Sequence, residues 1–144
     1  MEKWDQRFFD LAQLVSSWSK DPNTKVGAVI VNDLKQVLSL GYNGFPRGIR
    51  DEEARYTDRT CKHSFVVHAE RNALDNAFTD VRGSSMYVTH YPCNECAKGI
   101  VQKGIRRLFT PSPDPSKEYT KNLTLMTATK TMFIESGVEI YLIK

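Results

Sequence analysis

The stretch VVHAERNALDNAFTDVRGSSMYVTHYPCNECAKGIV, residues 66–101, decides how this chain is read. Its first third has helical spacing, with Val67, Ala69, Ala73, Leu74 and Ala77 on one side, and predicts a helix over Val67–Phe78. Ser85–Thr89 is a short apolar run that predicts a strand. A second helix is expected to start at Pro92 and to run through Cys96, Ala97, Ile100 and Val101. Helices that separate strands are crossovers, and crossovers allow parallel pairing.

Working outward, Trp4–Trp18 shows a helical apolar stripe through Phe8, Leu11, Ala12, Leu14 and Val15. Asp21-Pro22-Asn23 breaks it, and Val26–Val31 (VGAVIV) then reads as a strand covered on both faces. Asn32-Asp33 turns the chain into a returning strand at Val37–Leu40, which makes a hairpin. From Gly41 to Thr60 the pattern gives way to glycine, proline and charge, and it reads as a long functional loop. Beyond the central stretch, Arg107–Thr110 is a strand, Tyr119–Glu135 a helix closed by Gly137, and Val138–Ile143 a last strand. The expected fold is α/β, a three-layer α/β/α sandwich on a five-stranded mixed sheet, with residues 1–144 forming a single domain.

A chain of 144 residues with 40% hydrophobic and 26% charged residues is long enough to bury a core without staples. The net charge of +3 suits a phosphate-bearing small molecule better than a polynucleotide, so no nucleic-acid partner is expected. No window is long and apolar enough for a membrane span, and Met1-Glu2-Lys3-Trp4-Asp5 opens a charged segment rather than an apolar signal core. The three cysteines, Cys61, Cys93 and Cys96, fit metal ligands plus a spare thiol better than a disulfide framework. A cytoplasmic location is the expectation.

The chemistry-bearing residues open the two helices. Cys93 and Cys96 are three apart, so both sulfurs face one way on a first helical turn. The unsatisfied N–H groups of that turn favour thiolate over thiol. With His68 they make a three-ligand zinc set that leaves a fourth position open. Two thiolates formally cancel the charge of Zn²⁺, so the metal acidifies water less than it would among neutral ligands, and a nearby base gains value. Glu70, two residues from His68, is that base. The pattern H-x-E…P-C-x-x-C is the known signature of zinc deaminases. The competing reading is a non-catalytic, zinc-stabilised binding module whose site is closed by Cys61, His63 or His90. A deaminase of RNA or another nucleobase substrate would share every metal residue, and would also need a basic, aromatic groove for flanking nucleotides.

HAERNAL, YPCNECAK, GYNGFPRG (Gly41–Gly48) and SKDPNTKVGAVIV (Ser19–Val31) together resemble the deoxycytidylate (dCMP) deaminases of the cytidine-deaminase-like superfamily. The resemblance runs from about Trp4 to Lys144. It implies hydrolysis of dCMP to dUMP and ammonia, with one Zn²⁺ per chain held by His68, Cys93 and Cys96. Glu70 would take a proton from water and deliver protons to N3 and to the departing amine. The resemblance further implies that the Ala69 N–H holds the base carbonyl, that Asn43 meets the sugar beside Val26, and that Tyr119 flanks the base. For the phosphate, Lys25, Arg47 and Arg50 are candidate cations. His90, where an apolar residue is more familiar, is a departure expected to border the pocket. Members of this family are commonly hexamers regulated by dCTP and dTTP, so a homo-hexamer and a regulatory triphosphate carrying Mg²⁺ are expected. The long loop, with Gly44 and Arg50, is the expected place for that effector.

Overall fold

The computed structural model describes residues 2–144; Met1 lies outside the described residues. The sheet has five strands, β1 (Gly27–Val31), β2 (Val37–Tyr42), β3 (Ser85–Val88), β4 (Arg107–Thr110) and β5 (Glu139–Leu142), in the order β2-β1-β3-β4-β5. β1 runs antiparallel to both β2 and β3, and β3, β4 and β5 are parallel, so the sheet is mixed. Helix α1 (Lys3–Ser16) covers one face; α4 (Ala69–Asn76), α5 (Asn94–Gln102) and α7 (Leu123–Ser136) cover the other.

Strand alternation sorts the apolar residues into two cores. Ala28, Ile30, Met86, Val88 and Leu108 point towards α4, α5 and α7, where they meet Ala73, Leu74, Ala97, Ile100 and Phe133. Val29, Val31, Tyr87 and Phe109 point the other way, onto Phe8, Phe9, Ala12 and Val15 of α1. Every residue of β1 is therefore buried, which is why that strand reads as an unbroken apolar run.

The hairpin, the crossovers and the mixed sheet stand as expected, and several boundaries differ. The stretch Gly41–Thr60 is not irregular throughout: β2 continues to Tyr42, and the short helices α2 (Glu53–Thr57) and α3 (Arg59–Phe65) follow. Helices of five and seven residues are too short to print a repeating apolar stripe. The expected helix over Tyr119–Glu135 is two, α6 (Glu118–Lys121) and α7, because Asn122 leaves helical geometry and its side chain caps Leu125 N at 3.1 Å. α5 begins at Asn94 rather than Pro92, so Cys93 is the N-cap and Pro92 precedes it. Gly137 closes α7 in a left-handed conformation, as its position suggested.

The helix that carries Glu70 sits unusually close to the sheet. A Cβ at Gly41 would lie 2.5 Å from Ala73 N and 2.7 Å from Ala69 O, both backbone atoms of α4. Gly41→Ala is expected to destabilise the protein by about 1–3 kcal/mol in denaturant unfolding, because the helix must move off the strand. Gly99→Ala is the control: its Cβ would meet only Leu74 Cδ1, at 3.4 Å, so stability should hold or rise by up to about 1 kcal/mol. Equal effects at the two positions would remove the argument from close approach.

Candidate active site

The register places one end of the sheet under the site. Gly27 pairs with Tyr42 and Ala28 with Val88, so the start of β1 and the ends of β2 and β3 share an edge. Thr89 locks that edge: its Oγ1 accepts from Gly27 N at 3.1 Å and its N–H donates to Gly27 O at 3.1 Å. Two helices start there. His68 is the N-cap of α4 and Cys93 the N-cap of α5, with Cys96 in the first turn of α5.

These starts bring the three expected ligands together. His68 Nδ1 lies 3.3 Å from Cys96 Sγ and 3.5 Å from Cys93 Sγ. All three ligand atoms lie within 4.8 Å of one another. Tetrahedral zinc, with bonds of about 2.0–2.1 Å to nitrogen and about 2.3 Å to sulfur, separates such donors by about 3.5 Å, so the set fits the metal. Among the described residues the cluster consists of His68, Cys93 and Cys96; Cys61, His63 and His90 do not join it. A three-residue set matches the open, catalytic type of site rather than the closed, structural type.

The electrostatics are those of a metal-binding, proton-moving site. Hydrogen bonds from Cys96 and His68 pull the Cys93 thiol well below its ordinary value, and the thiolate favoured at Cys93 pushes Cys96 up. His68 is raised, first by its contact with Cys93. Glu70 is 4% exposed, and burial pushes its carboxyl up to about 7, against the pull of its own backbone N–H and of His68. A carboxyl poised there can both accept and release a proton near neutral pH.

The surrounding residues separate into a rim and a periphery. Tyr119 lines a cavity of about 170 Å³ with Cys93, Asn94 and Met126, and burial raises its phenol to about 12. A larger groove of about 800 Å³ between α4 and α5, lined by His68, Leu74, Cys96 and Gly99, opens on the other side of the ligands. Ala69 is fully buried at the start of α4. The Asn43 amide is fully engaged with the backbone: Oδ1 accepts from Val26 N and Nδ2 donates to Thr24 O, both at 2.8 Å. Gly44 exchanges two backbone hydrogen bonds with Val67, at 3.1 and 2.7 Å, and so joins the loop to the residue before His68.

The three candidate cations differ. Lys25 is exposed next to Val26 and forms no ion pair among the described residues. Arg47 donates to Asn76 Oδ1 at 3.0 Å, and Arg50 pairs with Glu52 at 3.3 Å. His90 is half-buried, 3.3 Å from Thr89 Oγ1, and is lowered by burial and by the charge of Lys117. Sequence reasoning missed Thr89, Asp21 and Lys62. The Asp-Pro-Asn turn was a signal for Asp21, whereas nothing in the chain marks Lys62.

Residues 2–111 match the family model described as the cytidine and deoxycytidylate deaminase zinc-binding region. The chain is 39% identical, over 97% of its length and 93% of the relative's, to an uncharacterized deaminase in the luxG 3′ region of Aliivibrio fischeri. It is 45% identical to human deoxycytidylate deaminase over 74% of this chain, a match that spans 64% of the longer human protein. Among solved structures, the dCMP deaminase of cyanophage S-TIM5 in complex with dCMP and dUMP superposes with a TM-score of 0.75 at 26% identity, over 99% of both chains. Zinc content tests the ligand assignment: Cys61→Ser should keep the wild-type metal content, while Cys96→Ser should lose most of it. Loss of zinc in Cys61→Ser would place a fourth ligand where the geometry has none.

Proposed function

The chain belongs to the cytidine and deoxycytidylate deaminase family, and on that premise we propose that it hydrolyses dCMP to dUMP and ammonia. The observation that carries the reading is the buried carboxyl of Glu70 one helical turn's start away from a three-residue His/Cys/Cys metal set with no fourth protein ligand among the described residues. His68, Cys93 and Cys96 hold one zinc ion per chain, which when bound supplies Lewis-acid activation of water.

The protein's own residues do the rest. Glu70 takes a proton from the attacking water and passes it to N3 of the pyrimidine; it then takes the second proton from the hydroxyl now on C4 and passes it to the amine, so the C4–N bond breaks, ammonia leaves and the C4 carbonyl forms. Its elevated proton affinity, set by burial, suits both the uptake and the delivery. The Ala69 N–H, at the first turn of α4, is an orphan donor of the helix start and meets the base carbonyl. Tyr119, seated beside Cys93, flanks the ring. Asn43, itself buried, shapes the sugar side by holding Val26 and Thr24 in place. For the 5′-phosphate, the unpaired and exposed Lys25 is better placed than Arg47 or Arg50, whose guanidinium groups already have partners.

We place regulation by dCTP and dTTP, with Mg²⁺ on the triphosphate, at the loop bearing Gly44 and Arg50. Gly44 supports this, because its two bonds to Val67 connect the loop directly to the residue before His68. A homo-hexamer in the cytoplasm is the assembly we propose. Its support is the apolar surface of α7 and β5, where Leu123, Ile134 and Leu142 are exposed. No helix among the described residues is long and apolar enough to cross a membrane.

A side-by-side assay of dCMP, deoxycytidine, cytidine and a cytosine-containing oligonucleotide tests the substrate. The expected result is turnover of dCMP, with kcat/KM at least about 10²-fold above that of the unphosphorylated nucleosides. Activity confined to the oligonucleotide would overturn it in favour of a nucleic-acid base deaminase.

A further inference from the structure

Three segments meet around His68 and Glu70: the Ser19–Val26 connection, the Asn43–Gly44 end of the hairpin and the junction of α3 with α4. Hydrogen bonds link them in sequence. Ser19 Oγ donates to Asn43 O at 2.8 Å, Asn43 clamps Val26 and Thr24, and Gly44 is bonded to Val67. The circle closes through a charge. Lys62 Nζ, on α3, lies 3.1 Å from Asp21 Oδ2, with side-chain exposures of 13% and 2%.

Asp21 is built to hold this position. Its Oδ1 accepts from Asn23 N at 2.9 Å and from Thr24 N at 3.2 Å, so one carboxylate shapes the turn with one oxygen and grips α3 with the other. Burial pushes its carboxyl up, but the two backbone N–H groups and the Lys62 ammonium together keep it below the ordinary value. A second ion pair runs from the same connection to the segment before α2, Lys20–Asp51 at 2.9 Å, and Tyr56 also donates to Asp51 at 3.0 Å. Lys20 is 69% exposed, so that pair is screened by water and salt. The buried pair is the firm connection, since removing one partner leaves a buried charge uncompensated.

We propose that the Asp21–Lys62 pair is a positioning device for nucleotide binding, fixing the spacing between the Thr24–Val26 segment and the α3–α4 junction that precedes His68. The pair acts through Asn43, Thr24 and Val67 and does not touch the substrate. Glu70 and the two cysteines are seated separately: Ala69, Ala73 and Leu74 anchor α4 in the main core, and Ala97 and Ile100 anchor α5. Loosening the pair therefore changes how the sugar and phosphate are held more than it changes proton transfer at the base. The inference rests on the dCMP reading above.

The test is steady-state kinetics with dCMP on the wild type and on zinc-loaded Asp21→Asn, Lys62→Met, Lys62→Arg and the Asp21→Asn/Lys62→Met double variant. Asp21→Asn keeps an acceptor for Asn23 and Thr24, so the turn survives while the charge goes. KM should rise about tenfold in Asp21→Asn and Lys62→Met with kcat within about threefold, and Lys62→Arg should restore KM. The double variant should be no worse than the poorer single one, as expected for two halves of one interaction. Amide exchange without substrate gives an independent readout: Val26, Gly44 and Val67 should lose protection together in the charge-removing variants. If Lys62→Met does not fold, Lys62→Gln carries the same comparison. Unchanged KM in these variants, or a fall in kcat or zinc content with KM unmoved, would overturn the positioning role. A wild type that does not turn over dCMP overturns the proposed function instead, and the two failures are thus separable.

Discussion

Two helix starts converge on one point, and the rest of the structure serves that convergence. His68 caps α4 and Cys93 caps α5, and the imidazole nitrogen lies 3.3–3.5 Å from the two sulfurs. Helix N-termini carry unsatisfied N–H groups and positive potential, which favour thiolate at Cys93 and offer donors to a bound ligand. The same geometry puts Glu70 inside the first turn of α4, where burial rather than any single partner sets its proton affinity.

The sheet makes the convergence possible. β3 delivers the chain to Cys93 and β1 lies antiparallel beside it, so Val26 and Asn43 arrive at the same edge from the hairpin. The absence of a side chain at Gly41 lets α4 settle against β2, which fixes Glu70 relative to the strands. The connection from Ser19 to Val26 is tied down by hydrogen bonds, with Asp21 and Asn43 as its two fixed points, and by Val26 packing against the main core. A rim organised by polar contacts around a core-anchored reaction centre separates substrate binding from chemistry.

Much of this was legible in the chain because it is local. The central helix–strand–helix stretch announces itself by period, and spacing alone puts Cys93 and Cys96 on one face. The mixed sheet follows from one tight turn and three crossovers. Non-local features were hidden. Lys62 is an unremarkable lysine until α3 folds over the α1–β1 connection and sets it against Asp21. The short α2 and α3 carry too few residues to show a period, and the break at Asn122 depends on a side-chain cap that competes with a helical run. Asn43 was legible as a special residue of its loop, but its side chain's bonds to Thr24 and Val26 bridge 19 and 17 positions and are invisible in sequence.

The central claim is that Glu70 moves protons beside a metal it does not bind. Glu70→Gln preserves shape and removes the titrating oxygen, so kcat for dCMP and bound zinc can be read on the same sample. Wild-type zinc content is expected, with kcat lower by about 10²–10⁴-fold. Retained activity at full zinc occupancy would contradict that claim and would assign the proton transfers to a group other than Glu70.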